Sequence, residues 1–322
     1  MASPPEFQVT SGGAVALQPV AVARKSPSRL FWERFSQDKV AIGGGVVLVL
    51  LALIAVFGGP LAAHLTGHPE NAVYSTMTDE FGVPKGPNHA FWFGADAAGR
   101  DLFVRTMYGA RTSLLVGVLA SMIALLIGLV VGLCAGFFGG WIDSALSRTS
   151  DVVLAMPQLL LAIGIAAACN IKGCLGGRLQ PGIPVVIVVI AFFSWSYIAR
   201  IVRGYTLSLR EKEFVESARA LGAGNVRILA TEILPNLVGP LIVYTTLLIP
   251  TNILFEAALS YLGLGVPQSE ASWGAILTDA SQLYDVAWWL MVFPGGLLIV
   301  TTLAFNLLGD GLRDAFDVRT ER

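Results

Sequence analysis

Six apolar runs, at residues 40–63, 112–138, 152–168, 183–201, 237–262 and 287–308, constrain this 322-residue chain more than any other feature. A helix rises about 1.5 Å per residue, so ~20 apolar residues cross the ~30 Å hydrocarbon core of a bilayer. Inside lipid every backbone amide needs a partner within the protein, and a helix supplies it within one segment. The runs therefore predict an all-α membrane protein with six transmembrane helices. Composition agrees, with 55% hydrophobic and 13% charged residues, about half the charge of an ordinary soluble domain. A net charge of −1 lacks the basic excess that nucleic-acid binding demands.

Residues 1–38 hold no apolar span. They read as a cytoplasmic tail, disordered over its Ser/Pro-rich first part, with SRLFWERF (28–35) as a short amphipathic helix at the membrane surface. The first run begins too deep and is too long for a cleaved signal peptide, so it is read as an uncleaved span. Residues 39–322 form the six-span unit. Lysine and arginine placement orients it: with the N-terminus inside, 15 of these residues fall on the inner side and six on the outer side. Both termini are then inside. A loop at about 64–111 lies outside, and a polar segment at about 204–236 faces the cytoplasm.

The most polar part of that segment is EFVESARALGAGNVRILATEILPN (213–236). Phe214, Val215, Ala218 and Leu221 recur at helical spacing and predict a helix with one apolar face. Gly222 and Gly224 stop it. Asn225 is placed to cap a second short helix with Val226, Leu229 and Ile233 on its apolar side, and Pro235 marks the turn into the fifth span. Two short helices about a glycine corner would make a rigid knob; a loop lying on the membrane fits the same pattern.

Other features carry less. Gly128, Gly132, Gly136 and Gly140 fall every four residues in the second span, the spacing that lets helix backbones approach closely; the partner helix is not readable. Glu256 lies in the fifth run near its outer end, where it either shapes an outer gate or anchors the SYLGLG turn. Cys169 and Cys174 lie on the outer side, where an oxidising exterior permits a disulfide; Cys134 lies in a span. His64 and His68 share helical i, i+4 spacing but no third ligand accompanies them, so no metal site is expected. The chain has no Gly-Lys dipeptide for a phosphate loop, no HExxH and no nucleophile elbow. It is read as a protein with no catalytic residues and no cofactor of its own.

The polar segment resembles the EAA loop of ABC importer permeases, in which Glu-x-Ala is followed four positions on by Gly and later by Leu-Pro. Glu216, Ser217, Ala218, Gly222, Leu234 and Pro235 match it, with Glu213 one turn earlier. Ser217 replaces the usual second Ala, and Glu232 stands where the pattern has an apolar residue. FGADAAGRDLFVRTMYGARTSLLVG (93–117), AGFFGGWID (135–143), MPQLLLAI (156–163), FEAALSYLGLGVPQ (255–268) and NLLGDGLRDAFD (306–317) resemble the C-type permease of dipeptide, oligopeptide and nickel importers.

The resemblance covers nearly all of the chain after residue 38. It implies a type I ABC importer permease fold, N-in and C-in, in a bacterial inner membrane. It implies a homologous partner permease in a heterodimer, two cytoplasmic ABC ATPase subunits or domains that hold ATP and Mg, and an extracellular or periplasmic substrate-binding protein. The matched loop residues would couple the ATPases to the spans. No residue is marked as a substrate ligand; peptide is the cargo adopted, with nickel chelates and haem left open. A self-sufficient secondary transporter or channel would show mid-membrane charges or a repeated span pattern, and a membrane enzyme would show convergent catalytic residues. Neither is evident.

Overall fold

The helices run well past the apolar residues that announce them. A computed structural model describes residues 27–174, 177–179, 181–267 and 269–316. The expected disordered stretch of the N-terminal tail, Gln268, Asp317 and the terminal Arg319 and Arg322 lie outside the described residues. The helices are α1 (Pro27–Phe35), α2 (Lys39–Thr66, with a π turn at Ile54–Gly58), α3 (Leu102–Phe138), α4 (Gly140–Ala155), α5 (Gln158–Lys172), α6 (Ile183–Leu209), α7 (Glu213–Ala220), α8 (Asn225–Tyr261, with a π turn at Ile228–Ile233), α9 (Trp273–Leu283) and α10 (Trp289–Phe316). Among the described residues there is no β-strand, only isolated bridges in loops.

Helices α2, α3, α6, α8 and α10 are each long and apolar enough to cross a bilayer, and α4 with α5 makes a sixth candidate as a bent pair. The run at 152–168 is therefore not one straight helix: α4 and α5 meet at 87°. Pro157 explains the break. It has no N–H to give Val153, and its ring disfavours helical backbone at the preceding residue. Met156 accordingly sits at φ −77°, ψ 143°.

Two loop boundaries also move. The outer loop spans 67–101 rather than 64–111, and the inner one 210–224 rather than 204–236, because polar turns extend α2, α3, α6 and α8 beyond the apolar runs. The second short helix expected after the glycine corner is the beginning of α8. Gly224 is its extended N-cap (φ −71°, ψ 158°) and Asn225 its first residue. Pro235 starts no new turn; the π turn precedes it, and the Asn236 side chain donates to the Glu232 carbonyl at 2.6 Å.

The glycine seam has its partner in the same chain. A Cβ on Gly128 would lie 2.7 Å from Ile198 Cβ and the Trp195 carbonyl oxygen; on Gly132, 2.6 Å from the Ala199 carbonyl oxygen and Val202 Cβ; on Gly136, 2.6 Å from Thr206 Cβ. The i±4 ridge of α3 thus lies directly against the matching ridge of α6. Gly140 does not belong to this seam. Gly139 (φ 67°) and Gly140 (φ 56°) take left-handed backbone, end α3 at Phe138 and start α4. Ala120, Ala124, Ile190, Phe193 and Leu248 share one core cluster that joins α3, α6 and α8. On the other flank α10 packs against α2 and α8, and α9 lies against α8 and α10.

The seam predicts sharp size limits. Gly132→Ala should destabilise the protein by roughly 1–3 kcal/mol through overpacking, and Gly132→Leu should abolish recovery of folded protein. Gly164→Ala, where nothing lies within 4 Å of the added Cβ, should be silent. Thermal unfolding in detergent, with recovered yield, measures all three.

Candidate functional site

The inner segment is a short amphipathic helix with a sharply defined end. Glu213 and Glu216 occupy the first turn of α7, where negative charge suits the helix dipole. Val215 is fully buried in one cluster with Ile228, Ile233 and Leu237, and Ala218 packs against it. The end is a Schellman turn: Ala223 N–H donates to the Ala218 carbonyl at 3.0 Å and Gly222 N–H to the Arg219 carbonyl at 2.9 Å. Gly222 has φ 82° and open space around its Cβ position, so backbone conformation alone demands glycine there.

The apolar residues of this segment divide between two faces. Val215 and Ala218 point inward. Phe214 (39%), Leu221 (88%) and Val226 (81%) are exposed at the tip, although spacing grouped them on the same apolar faces as Val215, Ala218 and Ile233. Glu213, Glu216 and Ser217 are exposed beside them; Leu234 is half-buried and Pro235 exposed, one helical turn and more into α8.

Polar contacts fix this tip to the end of the glycine seam. Arg210 Nη1 donates to the Gly136 carbonyl at 2.9 Å, and the Arg219 guanidinium lies 5.6 Å from the Phe137 ring centroid. Helix α4 is tied to α6 by Arg203 Nη2 on Asp143 Oδ2 at 2.7 Å and by Arg200 Nη2 on Asp151 Oδ1 at 2.6 Å.

At the other end, residues 67–101 fold onto the top of α3. Asp101 caps α3 through the Phe103 amide at 2.9 Å, and its second oxygen lies 2.6 Å from His68 Nδ1. Asp96 accepts from the Ala98 and Arg100 amides and from Arg100 Nε at 2.7 Å, while Arg105 Nη1 donates to Asn71 Oδ1 at 2.8 Å. Burial raises the pKa of half-buried Asp279 on α9 from its ordinary value, with Asp96 adding to the shift. His68 thus has a carboxylate partner and His64 is exposed. The i, i+4 pair Asp96–Arg100 was the sequence signal for this cluster; Arg105 Nε also lies 3.2 Å from Asp96 Oδ2, a contact nine residues apart that spacing does not announce.

Glu256 has no exposed surface. It accepts from Ser113 Oγ at 3.0 Å and from Ser260 Oγ at 2.7 Å; Ser260 Oγ in turn accepts from the Val266 amide, and Ser113 Oγ from the Trp273 amide. The carboxylate thereby knots α3, α8 and α9 and anchors the turn after α8. The Cys169 and Cys174 sulfurs are bonded to each other, and Cys134 is free.

A cavity of about 430 Å³ opens among the α4–α5 break, α6 and α8. Gln158, Ser194, Tyr197, Thr251 and Asn252 supply its polar groups. None of these was singled out by sequence; Asn252, an amide deep in an apolar run, was the available signal.

Comparison with known proteins accords with this geometry. The family model for binding-protein-dependent transport system inner membrane components matches residues 105–322, and that for the N-terminal TM domain of oligopeptide transport permease C matches residues 26–75. The chain is 41% identical over 293 residues to the oligopeptide transport system permease protein OppC of Escherichia coli (strain K12), covering 90% of this chain and 91% of that protein. It is 42% identical over 293 residues to the glutathione transport system permease protein GsiD of Shigella flexneri serotype 5b (strain 8401), covering 91% of each. An inward-facing structure of the MetNI methionine ABC transporter shares the fold, with a TM-score of 0.52 and 21% identity over 64% of this chain and 94% of that one.

The bonded cysteines give this outer region a direct check. In denatured, unreduced protein only Cys134 should take a maleimide; after reduction all three cysteines should. Mass spectrometry of the alkylated chain counts the adducts.

Proposed function

The chain belongs to the family of binding-protein-dependent inner membrane transport components, and from that membership we infer which cargo, partners and residues its transport cycle uses. It is a multi-pass permease subunit of an ABC importer. We propose that its cargo is di- or oligopeptides, delivered by an external substrate-binding protein. A homologous partner permease would complete the pathway, and two cytoplasmic ABC ATPases carrying ATP and Mg would drive it. The likeness to permeases named for oligopeptides and glutathione supports a peptide-like cargo.

In this reading α7 and its glycine corner are the handle that the ATPases grip. The observation that carries it is the exposed apolar tip of Phe214, Leu221 and Val226 on a segment whose opposite face is buried and pinned to α3. A tip of this kind favours a protein partner over water. Glu213, Glu216 and Ser217 flank the tip; Ala218 and Gly222 hold its shape; Leu234 and Pro235 lie within α8, just past its π turn. Transmission requires contacts that differ between the inward and outward states, and a rigid attachment to α3 and α6 passes a displacement at the tip to the spans.

Two measurements test this. A cysteine at Asn88 should react with an impermeant thiol reagent on intact cells and one at Gly224 only after lysis; the reverse would overturn the orientation. Gly222→Val should carry a backbone strain of roughly 1–3 kcal/mol and weaken ATPase retention about tenfold or more in the purified complex, with loss of uptake. Substrate affinity of the binding protein should not change. Normal ATPase retention and uptake in Gly222→Val would remove the coupling role.

A further inference from the structure

The cavity among the α4–α5 break, α6 and α8 has a chemical character of its own. Its polar wall is made of amides and hydroxyls, and none of its described lining residues is charged. Charge is plentiful elsewhere, in the Asp143–Arg203 and Asp151–Arg200 pairs toward the inner side and the Asp96–Arg100 pair on the outer side. Irregular backbone at membrane depth is tolerated where it is buried in protein or lines a wet cavity, and the break at Met156–Pro157 has Leu154 and Gln158 of this wall on either side of it.

Asn252 is built into that wall with its amide orientation settled. Ser121 Oγ donates to the Gly117 carbonyl at 2.7 Å, which commits its proton. It therefore accepts from Asn252 Nδ2 at 2.9 Å, and this leaves Asn252 Oδ1 to accept from Ser194 Oγ at 2.8 Å. The carboxamide is 2% exposed and held from α3 and α6 at once. Gln158 and Thr251 are more open, and Tyr197 stands beside Tyr244 with ring centroids 6.5 Å apart.

We propose that this cavity is a transit site for peptides, read through their backbone amides by neutral groups and indifferent to side-chain charge. The proposal rests on the peptide-import reading and deepens it. Every peptide bond offers one N–H and one carbonyl, which Gln158, Thr251 and the Asn252–Ser194 pair can satisfy whatever the side chains are. A fixed charge in the same wall would favour cargo of opposite sign, because Coulomb interactions are weakly screened away from bulk water. The neutral lining is thus the property that lets one pathway pass acidic and basic peptides alike.

The test uses the whole complex in proteoliposomes with its loaded binding protein. Uptake of Ala-Glu-Ala, Ala-Ala-Ala and Ala-Lys-Ala is compared at saturation. Wild-type rates should be similar for the three. Gln158→Glu should lower Ala-Glu-Ala relative to Ala-Lys-Ala by about four- to tenfold, and Gln158→Lys should reverse that ratio by a similar factor. Thr251→Asp and Thr251→Lys should repeat the pattern from the opposite wall. Misfolding lowers all rates together and cannot invert a ratio. Asn252→Ala should slow all three peptides alike. Unchanged charge ratios in all four charged variants, with uptake preserved, would mean that cargo does not pass this wall, and would overturn the proposal while leaving peptide import intact. Absence of any peptide uptake by the wild-type complex would overturn the import reading itself.

Discussion

The close approach of α3 to α6 is the contact on which the placement of the rest depends. Lipid gives two apolar helices no hydrophobic reason to associate, so packing at short range must do it. Gly128, Gly132 and Gly136 remove the side chains that would hold the two backbones apart. The inner end of this seam presents the Gly136 carbonyl and the Phe137 ring to Arg210 and Arg219, and its core cluster extends to Val215 of α7 and Leu248 of α8. The exposed tip and the transmembrane cavity therefore share one rigid reference. A small error in the seam would misplace both.

The distribution of polar groups separates two tasks. Charged pairs lie toward the ends of the spans, where they hold α4 to α6 and fold the outer loop over α3. Glu256 is enclosed by serines and serves the junction of α3, α8 and α9. The cavity is lined by neutral groups.

Much of this was legible in sequence, and the misses have physical causes. Apolar runs report where lipid lies; they do not report where hydrogen bonding ends, so polar turns of α3, α6 and α8 were assigned to loops. Proline by itself does not mark a break. Pro240, Pro250 and Pro294 remain inside helices, while Pro157 breaks one, and the outcome depends on what surrounds the freed carbonyl. Glycine spacing found the seam but ran one residue too far, because Gly140 keeps the four-residue period after left-handed backbone has ended the helix. Gly222 was readable because its role is local: a helix end that needs positive φ. The outward Phe214, Leu221 and Val226 were not, since periodicity identifies an apolar residue without saying whether this chain or another covers it. Asn252 and Ser194 meet only through tertiary packing, across residues far apart in sequence.

Helix α8 is continuous from Asn225 at the inner tip to Tyr261 at the outer side, π turn included. That makes it a lever arm. Asn252 stands about 40 Å along it from Asn225, so a tilt of ~5° pivoting at the inner end sweeps the carboxamide through ~3.5 Å. A sweep of that size relative to α6 would part the Asn252–Ser194 pair, whose 2.8 Å hydrogen bond is lost on lengthening by under about 1 Å. On the coupling proposed above, a displacement delivered at one end of a single rod would thus be read out at the other as the making and breaking of one hydrogen bond in the cavity wall.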